Sequence, residues 1–154
     1  MAGTVLLCYD GSEPARHAIA TASSLVRADA WRVVVAWQPL AAVSTFAWGS
    51  AMDAQTLDTV DAQAREAADA LVADGLAAAR DAGLEAEGYL AEAIGPVWAA
   101  IVDAAEQLDA AAIVLGSRGL TGLKNVLLGS VSEGVVRHAG RPVLVVHRPP
   151  AAAD

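Results

Sequence analysis

At 154 residues the chain is long enough for one domain with its own core and too short for two of ordinary size. A net charge of −8 excludes the basic face that general nucleic-acid binding requires, although backbone N–H groups can still hold a phosphate locally. With 55% hydrophobic residues but no apolar run long enough to span a bilayer, no visible export signal and a single cysteine, a cytoplasmic protein is expected.

Thr4 to Tyr9 is a short, unbroken apolar run that reads as a buried parallel strand, with Cys8 as buried filler. Asp10-Gly11-Ser12-Glu13-Pro14 follows it. An acidic residue, a glycine, a candidate cap and a first-turn proline are the signals of a strand giving way to a helix. That helix is predicted from Glu13 to about Val26, with Ala15, Ala18, Ile19, Ala22 and Leu25 on one face. A second strand is expected over 31–37. Pro39 to about Met52, with Phe46 and Trp48, is too irregular for a helix and too apolar for a solvated loop. It is expected to form a flap over a ligand, or else a subunit contact. A long helix over 54–82 keeps Leu57, Val60, Ala64, Ala67, Leu71 and Ala78 at helical spacing. Asp58, Asp61, Arg65, Glu66, Asp69 and Asp74 read as its solvated face, and Gly83 ends it.

A third strand is predicted over 85–90. A helix beginning around Gly95-Pro96 should bury Val97, Ile101, Ala104 and Leu108. A fourth strand over 111–116, a helix from Ser130 to about Ala139 and a last strand over 142–147 complete the chain, with 149–154 as a frayed tail after a single domain over 1–148. Strict β-α alternation with right-handed crossovers predicts an α/β fold, a doubly wound parallel sheet of five strands with helices on both faces.

The chemistry concentrates at the fourth strand. Gly116-Ser117-Arg118-Gly119 follows the apolar run Ala111–Leu115, and Gly129-Ser130-Val131-Ser132-Glu133 begins ten residues after Gly119. In pattern form this is G-x2-G-x9-G-S. Glycines there let backbone pass close to a ligand. Ser130 and Glu133 have the S-x-x-E form of a capping box, with Ser130 as the cap. Free N–H groups at a helix start, beside a glycine loop at a strand's carboxyl end, make an anion site suited to phosphate. The plainer reading is a strand–loop–helix connection in which Ser130 only caps. In open α/β sheets ligands bind outside the carboxyl ends of strands where the strand order reverses, so Asp10 would face this loop if the first and fourth strands are neighbours.

With these two motifs, and the ending Gly140-Arg141-Pro142-Val143-Leu144-Val145-Val146, the chain resembles the universal stress protein family from Thr4 to His147. The resemblance implies a Rossmann-like sheet of order 3-2-1-4-5 and places the chain with the ATP-binding branch that keeps the glycine signature. It further implies that Gly116, Gly119, Gly129, Ser130 and Ser132 hold phosphates and ribose, with Val131 adding a backbone N–H. Asp10 would sit near the ribose or a bound Mg²⁺, and the backbone near Ala36 and Trp37 would meet the adenine edge. Arg118 would reach a phosphate or else face solvent. One departure is visible: where the family usually opens the fourth strand with aspartate this chain has Ala111, and Asp109 stands two residues earlier.

Other candidates favour structural roles. His17, His138 and His147 lack metal-ligand spacing. Trp31, Trp37 and Trp98 are expected to pack. No G-x-S-x-G elbow and no Walker lysine is present. The sequence therefore predicts an ATP-binding regulatory module with slow or no hydrolysis, dimeric through its apolar last strand. A Mg²⁺-dependent ATPase or nucleotidyl transferase using Asp10, and a dimeric interaction protein that binds no nucleotide, are the alternatives.

Overall fold

The computed structural model describes residues 3–39, 53–117 and 128–147. In chain order the elements are β1 (Thr4–Cys8), α1 (Glu13–Leu25), β2 (Ala30–Trp37), α2 (Ala54–Asp81), β3 (Ala86–Glu92), α3 (Val97–Gln107), β4 (Ala110–Gly116), α4 (Ser130–His138) and β5 (Val143–Val146). The five strands form one parallel sheet in the order β3-β2-β1-β4-β5. This is the expected fold and strand order, and it sets β1 beside β4. The expected flap over 39–52 and the tail over 149–154 fall almost wholly outside the described residues.

Alternation along the strands divides the core in two. Val5, Leu7 and Tyr9, with Val33, Val35 and Val114, face α1 and α2. Leu6, Cys8, Val34, Ile113 and Leu115 face α3 and α4. Both faces of the central strands are covered, which is why their sequences run apolar without a polar partner at alternate positions. Leu6, Leu7, Val33 and Ile113 are wholly shielded from solvent, each worth about 1.5–3 kcal/mol relative to full exposure.

Two expectations for α2 need correction. Ala67 is exposed, and the buried stripe runs through Ala68, Gly75 and Ala79. Asp74 is not simply a solvated residue. Its carboxylate accepts hydrogen bonds from the Tyr9 hydroxyl and from Arg16, the latter at 2.5 Å, and Arg16 also lies over the Tyr9 ring at 5.6 Å. This cluster ties α1 and α2 to the end of β1. Across the sheet, the Trp98 ring stacks on His138 with centroids 4.2 Å apart, joining α3 to α4. Asp109 lies at the amino end of β4 with φ of 46°, at the opposite end of the strand from the glycine motif.

Candidate functional site

A cavity of about 310 Å³ opens where β1 and β4 end, within the range of small-ligand sites. The starts of α1 and α4 form its two sides. Its apolar floor includes Cys8, Val34, Ala36, Ile101 and Leu115. Burial, together with the charge of Asp10, pushes the Cys8 thiol up to about 12, so the floor stays uncharged at neutral pH.

On the α1 side Gly11 turns the chain with φ of 81°. Ser12 is the N-cap, and its Oγ accepts the Ala15 N–H at 3.3 Å. The Ser12 N–H in turn donates to Asp10 Oδ1 at 3.0 Å. Pro14 at the second helical position carries no N–H at all. Of the first three helical residues only Glu13 therefore keeps a backbone donor that this cap leaves unused.

The α4 side is built differently. Gly129, not Ser130, occupies the N-cap position, and among the described residues no side chain caps the helix. The expected capping box does not form. Ser130 already has helical backbone, and Glu133 pairs with Arg137 at 2.8 Å. The Glu133 N–H is the first to find a helical acceptor, Gly129 O at 2.9 Å. Ser130, Val131 and Ser132 precede it, so their three N–H groups have no carbonyl within the helix. All three residues line the cavity. Ser132 Oγ donates back to Gly116 O at 3.4 Å, linking the first turn of α4 to the end of β4.

The two described motif glycines serve different ends. A Cβ on Gly116 would stand 2.5 Å from Pro14 O and 2.9 Å from Ala15 N, so glycine there lets β4 end against the start of α1. Gly129 has ordinary extended backbone, φ −62° and ψ 157°. A Cβ on it would meet nothing within 4 Å among the described residues. Glycine at 129 is thus required by no close contact among the described residues, although it lines the cavity.

Of the residues the sequence singled out, Asp10, Ala36, Gly116, Gly129, Ser130, Val131 and Ser132 all border this cavity. Trp37 does not. Its side chain packs with the α1–α2 core on the other face of the sheet, and its carbonyl accepts the Ala93 N–H at 2.8 Å. Arg118 and Gly119 lie outside the described residues. Ser12, Tyr9 and the α3 contribution of Val97 and Ile101 were not singled out as site residues. The alternation of β1 would have assigned Cys8, and helical spacing Val97 and Ile101, to one side of the sheet.

Comparison with known proteins agrees with this architecture. The family model for the universal stress protein family matches residues 1–147. A universal stress protein of Thermus aquaticus is 33% identical over 145 residues, spanning 93% of this chain and 97% of that protein. The universal stress proteins MJ0531 and MJ0577 of Methanocaldococcus jannaschii are 53% and 50% identical over 49 and 48 residues, alignments that span only 29% and 30% of those proteins. Among solved structures, MJ0577 superposes with a TM-score of 0.74 at 24% identity, covering 97% of this chain and 98% of that one. A universal stress protein in complex with cAMP superposes at 0.66 and 24% identity, covering 96% and 98% of the two chains. One from Archaeoglobus fulgidus in complex with dAMP superposes at 0.59 and 21% identity, covering 94% and 97%. The full-length family match, the Thermus relative and the shared strand order lead to one conclusion: the chain belongs to the universal stress protein family.

Proposed function

We propose that the chain binds an adenine nucleotide, with ATP as the primary candidate, in the cavity between α1 and α4, and acts as a nucleotide-dependent regulatory module of the cytoplasm. The observation that carries this reading is the start of α4, which no side chain caps among the described residues. Three successive backbone donors, at the positive end of the helix dipole, border a cavity that Gly129 also lines. Phosphate suits such a place because it brings acceptor oxygens and negative charge together. The apolar floor of Val34, Ala36, Ile101 and Leu115 suits a flat base. Fold neighbours solved with cAMP and dAMP support adenine nucleotides as the ligand class. Arg118 and Gly119 belong to the same reading through the sequence motif.

Asp10, at the mouth of the cavity, suits a ribose hydroxyl or a Mg²⁺ ion accompanying the phosphates. Among the described residues no group of three or more His, Cys, Asp or Glu side chains gathers there. A divalent ion would thus draw most of its ligands from phosphate and water. The chain's contribution is a ground-state cradle, which favours binding with slow or no hydrolysis. The ATPase or transferase reading rests on Asp10, and turnover of ATP abolished by Asp10→Ala would establish it.

No helix among the described residues is long and apolar enough to cross a membrane. β5 lies at a sheet edge with Val143, Leu144 and Val145 only half-buried, a surface suited to pairing with a second copy. The reading therefore includes a homodimer through β5. Val145→Lys should shift it toward monomer in analytical ultracentrifugation. For the nucleotide itself, mass spectrometry of small molecules released from freshly purified protein, followed by calorimetric titration with ATP, is the direct test. Adenine nucleotide in the first and saturable binding in the second are expected. Absence of both removes the reading.

A further inference from the structure

The cavity's phosphate side is connected to the edge strand by a pair of side chains that do not line it. Ser117, inside the glycine motif, is 1% exposed, yet it carries a hydroxyl. A buried hydroxyl requires a partner. Its Oγ lies 2.7 Å from Nδ1 of His147, the exposed residue that follows β5. The Ser117 N–H donates to Val146 O at 2.9 Å, so backbone and side chain both join it to the end of β5. One residue back, Gly116 O accepts Ser132 Oγ, and Ser132 carries one of the three open N–H groups of α4. Gly116 is also hemmed in from the other side by Pro14.

We propose that His147 is a positioning residue for the nucleotide site. It fixes the Ser117 hydroxyl, and residues 116–117 held in this way set where the end of β4 meets the first turn of α4. The inference rests on the nucleotide reading and adds to it a residue outside the G-x2-G-x9-G-S motif. His147 does not touch the ligand. Its effect on affinity passes through Ser117, Gly116 and Ser132. With the imidazole neutral and protonated on Nε2, Nδ1 accepts from the serine hydroxyl. Asparagine can place a carbonyl oxygen near the Nδ1 position, and glutamine, one carbon longer, reaches instead toward Nε2.

The test is calorimetric titration of ATP onto the wild type, Ser117→Ala, His147→Ala, the double variant, His147→Asn and His147→Gln, each with its ligand-free melting temperature. His147→Ala and Ser117→Ala should each weaken ATP binding about fivefold, the scale of one hydrogen bond. The double variant should be no weaker than either. His147→Asn should bind ATP close to wild type, and His147→Gln like His147→Ala. Because His147 is exposed, its variants should fold even if Ser117→Ala does not. Wild-type affinity in His147→Ala overturns the proposal, as do losses that multiply in the double variant or an Asn variant no tighter than the Gln one. If the wild type itself fails to bind ATP, the nucleotide reading falls and this proposal with it. A wild type that binds beside unaffected variants removes only the role of His147.

Discussion

Two helices begin at the same end of the sheet, one on each side of the cavity, and they solve the problem of their free amides in opposite ways. The start of α1 is closed. Ser12 caps it, Pro14 removes one donor, and the Tyr9–Asp74–Arg16 cluster braces the turn from behind. The start of α4 is open, with glycine at the cap position and three amides that no helical carbonyl reaches. Proteins ordinarily satisfy such groups with side chains or water. Where one helix start is largely capped and its neighbour, among the described residues, is not, the open one is the place to look for a ligand. The glycines repeat the contrast, since Gly116 is required by the backbone of Pro14 while Gly129 is required by nothing among the described residues.

The contrast can be broken by closing the open helix. Gly129→Asp offers α4 a side-chain cap at the position glycine now holds and places a carboxylate where phosphate is proposed to bind. Extended backbone at 129 accepts any residue, and there is room for the Cβ. The ligand-free variant should be as stable as wild type or more stable by about 0.3 kcal/mol, while ATP binding weakens at least about 100-fold. Thermal melts and calorimetry on the same sample decide it. A more stable variant with undiminished affinity would show that α4 is not the anion site. Gly116→Ala should do the reverse. Its Cβ would press on Pro14 O, costing about 1–3 kcal/mol through overpacking before any ligand is added.

A smaller effect separates the two serines at the helix starts. Ser12→Ala removes a working cap and should cost about 1 kcal/mol of stability. Ser130→Ala removes no cap, because Ser130 lies inside the helix. It should leave the ligand-free melting temperature within about a degree and alter only nucleotide affinity. Equal destabilisation by both substitutions would mean that Ser130 caps α4 after all.

The difference between these two serines also marks how far the sequence is legible. The β-α alternation and the parallel sheet followed from apolar runs and glycine turns, which are local signals, whereas the strand order and the pairing of β1 with β4 came only from the family resemblance. At α1 the local signal was sufficient, since Ser12 and Pro14 need only their own neighbours to act. At α4 the S-x-x-E pattern suggested a cap one residue too late. A capping box states a capability, and whether it closes depends on where the preceding chain enters the helix, which tertiary contacts set. Contacts between distant segments left no local trace at all. Tyr9 meets Asp74 across 65 residues and Ser117 meets His147 across 30. The resemblance assigned the backbone near Ala36 and Trp37 to the site; the Trp37 ring itself packs on the other face of the sheet, as strand alternation requires. Ala36, one residue earlier, faces the cavity.

The bracing of the closed helix offers the last and smallest test. Arg16, through its hydrogen bond, and then Tyr9 hold the Asp74 carboxyl below its ordinary value of 3.8. The folded state therefore binds the proton less readily than the unfolded chain, and the ionised carboxylate is the stabilising form. That contribution is complete above the ordinary carboxylate range and is lost as pH falls through the lower folded value. Asp74→Asn should accordingly destabilise the protein slightly near neutral pH and flatten its loss of stability on acidification, so that wild type and variant converge at the acid end. Side chains of Arg16 and Asp74 are each 40% exposed, so solvent screens the pair and the change stays modest. Urea midpoints measured across the acid range would show it. ATP affinity should not change, because the cluster steadies α1 and the proposed phosphate donors belong to α4. An Asp74→Asn variant that loses nucleotide binding while remaining folded would mean that the two helix starts are coupled, and that the closed one is part of the site.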